Sequence, residues 1–371
     1  MGKSHPLLRF LLRFTPRPAA DPSQRDFARI LAISTTAVGD TLLSTPCFSA
    51  LRRLNPGARI VALIRDRYVP MFRTNPDLDG IIPRKKGWAG FLQNLHAIKN
   101  ENFDAAFVFH VSDPGPVCLA ARAGIPFIAG KSLHPPFDPL FTLRTFPDYS
   151  LHTIARRLAI LQRMYPDVSD WPTRLVLPQD QENTDRVRKQ WGGIGVGGRH
   201  PGPVIGFQPG ASRPYKMWPQ ERFVDLGRRL LAAVPDLNVR VLGDKSEAAL
   251  GEAIVDGVAA PGRIVSLCGQ TRIAELPAVI SDLDFLVTND TGSLHIAIAV
   301  GTPTLSLFAA TDPGSSGPYQ DKERHIVIAK PKPCGADCVH KQCPFKPSCM
   351  AQITVAEVYQ RSVEMLLRKD P

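Results

Sequence analysis

The chain has 371 residues, 44% of them apolar and only 21% charged, which excludes a wholly disordered protein and allows two domains, each with its own core. Seven cysteines are too few for a disulfide-dense secreted scaffold of this length, and 35 Pro and 28 Gly are scattered without a collagen period. The net charge of +11 is unevenly placed: residues 1–180 hold 23 Lys and Arg against 14 Asp and Glu, a net +9, while residues 181–371 hold 22 against 20, a net +2. A basic first half suits an anionic partner (nucleic acid, acidic lipid or phosphorylated sugar), and it is equally the mark of a plain solvated surface.

From the amino terminus, KSHPLLRFLLRF breaks its apolar stretch with Arg9 and Arg13, which a secretory signal does not tolerate. Residues 6–14 would set both arginines on one helical face with Leu and Phe around the rest, a pattern for a membrane interface or simply a disordered leader. Strands are then expected at 29–33, 59–64, 105–109 and 125–129, and helices at 42–54 and 151–165. A polar stretch, 179–190, leads into WGGIGVGGRHPGP (191–203), whose six Gly in thirteen residues make a flexible connector.

A second strand series follows at 204–207, 239–242, 264–267, 285–288, 304–308 and 325–328, with helices at 219–234, 273–281 and 293–300. Runs such as RILAI, VIGF and DFLV do not alternate polar with apolar, as expected of strands covered on both faces. The long uncharged segment 291–311 contains His295 and a Gly-Thr-Pro break, so it fits a buried helix and a buried strand better than a membrane span. The fold class is therefore α/β, with two doubly wound parallel sheets.

Three segments can carry chemistry. In ILAISTTAVGDTLLSTP (30–46) a strand enters the turn Gly39-Asp40 and then an apolar helix; Gly39 lets another molecule approach the backbone, and Asp40 lies where it can serve chemistry or cap the helix. In FQPGASRPYKMWPQERF (207–223) a Gly-hydroxyl loop with Lys216 suits phosphate oxygens, although the P-loop spacing is absent and a solvated lysine fits as well. In FLVTNDTGSLHIAIAVGTPTLSLFAATDP (285–313) a buried strand delivers Asn289-Asp290-Thr291-Gly292-Ser293 to the start of a helix. Backbone N–H groups there favour a diphosphate, and His295 follows in the first turn.

In order and spacing, TTAVGDTLLSTPCFSALRRLNP, GASRPYKMWPQERF and NDTGSLHIAIAVGTPTLSLFAATDP resemble the signature blocks of the lipopolysaccharide heptosyltransferases, glycosyltransferase family 9, over residues 28–350. The resemblance implies a GT-B fold: two Rossmann-like domains with an interdomain cleft. The boundaries drawn are a basic amphipathic leader (1–27), an acceptor-binding domain (28–178), a Gly-rich linker (179–203), a nucleotide-sugar donor-binding domain (204–352) and a C-terminal helix (353–371).

The activity implied is inverting, metal-independent transfer of a heptose or related sugar from ADP-heptose to the inner core of lipopolysaccharide on lipid A. Carried over, Asp40 would be the general base, with Gly39 beside it. Ser212, Arg213 and Lys216 would lie at the donor diphosphate, Asp290, Thr291, Gly292 and His295 around the donor sugar and phosphates, and Glu247 at the adenosine ribose. No cofactor, metal or nucleic acid is implied. The partners are a nucleotide-sugar donor, a lipid A core acceptor and the anionic surface of the inner membrane, met from the cytoplasmic side. Thr36-Ala37 stands where the family often carries Ser-Ser. A nucleotide-sugar epimerase and a non-catalytic nucleotide-binding protein are the alternatives on the same fold.

The spacing Cys334-x3-Cys338-x4-Cys343-x5-Cys349 allows a zinc site, reduced structural thiols or a disulfide. Cys47, Cys118 and Cys268 lie in apolar stretches, as buried thiols do.

Overall fold

The computed structural model describes residues 12, 15–110, 113–131, 135–192, 202–309, 311–332 and 348–368. Met1–Val176 and Leu177–Pro371 form two compact units. The first holds β1 (Arg29–Ser34), β2 (Arg59–Arg65), β3 (Gly80–Arg84), β4 (Ala105–Val108), β5 (Phe127–Lys131) and β6 (Leu143–Thr145), all parallel, in the order β3-β2-β1-β4-β5-β6. The second holds β7 (Val204–Gln208), β8 (Asn238–Val241), β9 (Ile264–Ser266), β10 (Phe285–Asn289), β11 (Thr304–Phe308) and β12 (His325–Ala329), also parallel, in the order β12-β11-β10-β7-β8-β9.

The two orders are the same. Each unit lays two strands outward from its first strand, then returns to lay three on the other side. The connections after β1 and β4, and after β7 and β10, therefore leave in opposite directions, which opens a crevice at the strand carboxyl ends. Doubly wound sheets bind their ligands there.

Strands β4, β7 and β10 are buried throughout and β1 after its first residue, because helices cover both faces of each sheet. The two strands that the sequence pattern did not reveal are edges. β3 contains Pro83, which an edge tolerates because one row of its N–H groups has no partner to lose, and β6 has only three residues. β5 begins two residues later than expected. Gly124, at φ +82°, and Pro126 belong to the turn that leaves the Gly115–Arg122 helix, so Lys131 becomes a strand residue.

Two further expectations need correction. The helix expected at 42–54 is two, Val38–Leu42 and Thr45–Leu54, because Pro46 has no N–H to give and is tolerated only in a first turn. The polar opening of the expected 179–203 linker is a helix, Gln181–Trp191. The Asp180 side chain caps it by accepting from the Glu182 N–H at 3.0 Å, and Val187 is buried on its inner face. Residues 193–201 of the Gly-rich stretch lie outside the described residues, as do Cys334, Cys338, Cys343 and nearly all of residues 1–14.

Each unit has its own core: Leu31, Ile33, Val61, Leu63, Ala106 and Val108 in the first, and Phe207, Trp218, Phe223, Val239 and Phe285 in the second. Trp218 is buried, packs edge-on against Phe223 at 4.9 Å and donates its indole N–H to the Ile353 carbonyl at 2.9 Å. That bond ties the loop after β7 to the segment leading into the C-terminal helix, Val355–Leu367. Cys349 is buried in this core. Cys47, Cys118 and Cys268 are buried free thiols, and burial pushes them up to about 12, 12 and 11, so they stay protonated and unreactive.

Candidate active site

In the first unit the chain leaves β1 through Thr35 and Thr36 and enters the short Val38–Leu42 helix. The N-cap of that helix is Ala37, without a side-chain bond, and Asp40 is its third residue. The Asp40 carboxylate has a different engagement. Arg157, on the Thr153–Met164 helix, donates from Nη2 to Asp40 Oδ1 at 3.0 Å and from Nη1 to Ser44 Oγ at 2.7 Å, and Nη1 also donates to the Asp40 carbonyl. Ser44 Oγ shares a 3.1 Å bond with Ser34 Oγ, which anchors the arrangement to β1.

Only 6% of the Arg157 side chain is exposed, against 44% of the Asp40 side chain. A buried guanidinium thus holds a carboxylate whose outer half faces solvent. Burial lowers the Arg157 pKa and Asp40 opposes that shift.

Arg157 was missed from sequence, although a signal existed. The buried face of its helix reads Ile154, Arg157, Leu158 and Leu161, which puts an arginine at helical spacing among aliphatic residues. At the same end of the sheet, Thr35 Oγ1 and His110 Nε2, after β1 and β4, share a 3.1 Å bond. Lys131 ends β5 and is buried.

In the second unit the structure brings Lys216 and Asp290 together. The Lys216 ammonium donates to Asp290 Oδ2 at 2.7 Å, with side-chain exposures of 20% and 9%. Lys216 ends the turn Pro214–Lys216 after β7, and Asp290 follows β10, so the pair spans that unit's crevice. Asn289 cross-links the same two loops: its Nδ2 donates to the Pro209 carbonyl at 2.8 Å and its Oδ1 accepts from the Trp218 N–H at 3.0 Å.

Thr291 is the N-cap of the Gly292–Val300 helix, with no side-chain bond closing it, and His295 is buried in the opening turn. Gly301 ends that helix at φ +84°, a left-handed cap that suits glycine. Ser212 and Arg213 are exposed on the loop before Lys216.

Glu247 has structural work that the sequence did not show. Its Oε2 accepts from the Asp244 N–H at 2.9 Å in a capping box and from Gln208 Nε2 at 3.3 Å. Gln208 Oε1 in turn accepts from Ser293 Oγ at 2.9 Å, so Glu247 is wired to the Asn289–Ser293 turn. Burial raises its pKa and the Asp244 N–H pulls it back. Gly210 packs directly on this carboxylate: a Cβ there would meet Oε1 at 1.7 Å. Gln208 was also missed, and its signal was a polar residue closing the buried run VIGF.

Two histidines make stability depend on pH. His110 and His325 are both buried and held down to about 4, chiefly by loss of hydration. Arg157 adds to this for His110 while Asp40 and Asp113 oppose it; Asp321 and Glu323 oppose it for His325. Unfolded, each titrates near 6.5, so between about pH 6.5 and 4 the unfolded state binds more protons than the folded state. Stability should therefore fall on acidification by up to about 1.4 kcal/mol per pH unit for each histidine. Thermal melts from pH 7.5 to 4.5 read this directly, and a flat profile would contradict it.

The fold, two Rossmann-like units each with its polar cluster at the crevice, is GT-B. It is similar to a glycosyl transferase family 9 structure from Veillonella parvula, with TM-score 0.79, 22% identity, and 93% of this chain and 99% of that chain covered. It is also similar to the Escherichia coli ADP-heptose lipopolysaccharide heptosyltransferase II structure, with TM-score 0.74, 21% identity, and 91% and 98% covered. In sequence it is 27% identical over 289 residues to lipopolysaccharide heptosyltransferase 3 of E. coli K12, which covers 74% of this chain and 80% of that protein. Residues 96–348 match the family model for glycosyltransferase family 9 (heptosyltransferase). The chain belongs to this family, and it is a glycosyltransferase.

Proposed function

We propose that this protein moves a heptose from ADP-heptose to the inner core of a lipopolysaccharide on lipid A, with inversion at the transferred carbon and without a metal ion. The observation that carries this reading is the Asp40–Arg157 arrangement in the first unit, a fixed and half-open carboxylate at the crevice of the sheet. The lipopolysaccharide heptosyltransferases among its relatives support the sugar, and the similar E. coli ADP-heptose transferase supports the nucleotide.

In the reaction, an acceptor hydroxyl attacks the anomeric carbon of the donor, the bond from that carbon to the diphosphate oxygen breaks, and Asp40 takes the hydroxyl proton. Arg157 keeps Asp40 oriented. Charge building on the departing ADP is met by Lys216 and by the backbone N–H groups of Gly292 and Ser293 at the start of their helix. Ser212, Arg213, Thr291 and His295 complete the donor surface, with Glu247 Oε1 left for the ribose. A single displacement inverts the carbon and requires only one acceptor-side carboxylate.

The lipid-linked acceptor puts the enzyme at the anionic cytoplasmic face of the inner membrane, met by its basic first half. No helix among the described residues is long and apolar enough to cross a membrane.

The test is incubation with ADP-heptose, alone and with lipid A core acceptor. Heptose should appear on the acceptor, with release of ADP, only when both are present. Isomerised donor without acceptor would favour an epimerase, and binding without turnover would favour a nucleotide-binding protein.

For the donor side, Lys216→Ala should weaken ADP binding by about 1.5–3 kcal/mol, the worth of a charge-assisted contact. It should also lower the melt, because Asp290 loses its ion-pair partner. Calorimetry with ADP below the melting temperature separates the two effects. Unchanged affinity would leave Lys216 as a structural partner of Asp290 only.

A further inference from the structure

Lys131 closes β5 and is only 6% exposed. The groups that act on it are Arg157 and Arg156, from the Thr153–Met164 helix, and the thiol of Cys47, from the Thr45–Leu54 helix; none is a carboxylate. Among the described residues no ion pair or hydrogen bond reaches its ammonium. A buried cation without a counter-ion, beside two arginines, is an unfavourable choice for a fold, and a methionine would fill the same space without that cost.

The same end of the sheet holds a buried polar atom without a partner among the described residues, Thr36 Oγ1 after β1, and the buried His110 after β4. Arg157 is the common neighbour: it acts on both Lys131 and His110 and holds Asp40.

We propose that Lys131 is a specificity-determining residue that receives an anionic group of the acceptor, a carboxylate or a phosphate on a sugar, next to the hydroxyl that Asp40 deprotonates. The inference rests on the reading of the first unit as the acceptor side. The bound anion supplies the counter-charge that no described residue provides, and Thr36 Oγ1 remains to bond an acceptor hydroxyl. Burial and then Arg157, opposed by Cys47 and aided least by Arg156, bring the free ammonium down to about 7. The amine is charged below that pH and neutral above it, so acceptor binding should weaken as pH rises through 7.

The experiment measures transfer from ADP-heptose to three acceptors: the native lipid A core oligosaccharide, the same with its phosphates removed, and the same with its carboxyls reduced to alcohols. In the wild type, one of the two modifications should raise the acceptor KM about tenfold to a hundredfold with little change in kcat, and which one does so identifies the group. In Lys131→Met the KM for native acceptor should rise to the same level and no longer respond to either modification. Lys131→Arg keeps a charge at all accessible pH, so its acceptor KM should stay flat between pH 6.5 and 8.5 where the wild-type value climbs.

A Lys131→Met protein that still distinguishes the acceptors as the wild type does, or a wild type indifferent to both modifications, overturns the inference. Normal transfer by an Asp40→Asn protein would instead overturn the reading beneath it.

Discussion

Replacing Asp40 with Asn should slow transfer by at least about 10²–10⁴-fold, the usual contribution of a general base, while ADP affinity stays near wild type and the melt falls only modestly, because the buried Arg157 loses its counter-charge but keeps its hydrogen bonds. Asn keeps the size and can still accept from Arg157, but it cannot take the acceptor proton. Donor affinity is spared because the donor residues are assigned to the second unit. A purely structural Asp40 gives another result. Asn can still accept from Arg157, so it would then leave activity nearly unchanged and cost only the modest stability of the lost charge pair. Single-turnover transfer, ADP calorimetry and a melt on one preparation separate these outcomes, and loss of ADP binding together with a collapsed melt would indicate damage to the fold.

Arg157 should be nearly as sensitive, for a different reason. Arg157→Met removes the donor shared by Asp40 Oδ1, the Asp40 carbonyl and Ser44 Oγ, and leaves the buried Ser44 short of a partner. Asp40 is 44% exposed and water recovers part of the loss, so stability should fall by about 1–3 kcal/mol rather than by the full penalty for breaking a buried pair. Arg157→Lys is the more informative change. It keeps the charge, but one ammonium cannot reproduce the planar fork that spans three acceptors. Transfer should drop at least about tenfold with a smaller loss of stability, through kcat rather than ADP affinity. Wild-type kcat in Arg157→Lys would show that the orientation of Asp40 does not depend on this residue.

Much of the second-unit site was legible because its residues sit in motifs at the ends of apolar runs. A run such as FLVTN must be a buried strand, so the Asp290-Thr291-Gly292 that follows must lie at the carboxyl edge of the sheet. The pairing of Lys216 with Asp290, 74 positions away, was not legible, since the sequence does not say which loops meet until strand order places β7 beside β10. Arg157 was hidden by its helix, whose amphipathic pattern is satisfied whether or not one position on the inner face is charged. β3 and β6 escaped notice because Pro83 interrupts the short apolar run of the one and the other has only three residues, Leu-Arg-Thr. The Gln181–Trp191 helix failed for the converse reason: polar almost all round, it is held by its cap and by the Arg186–Glu182 pair rather than by an apolar stripe.

The proposed mechanism is a single displacement in which one carboxylate takes the acceptor proton. The most direct measurement is the anomeric configuration of the transferred sugar, read by NMR of the product and compared with that of the donor. Inversion is the expected result. Retention would require a covalent or front-face step that Asp40 alone does not provide, and it would contradict the mechanism.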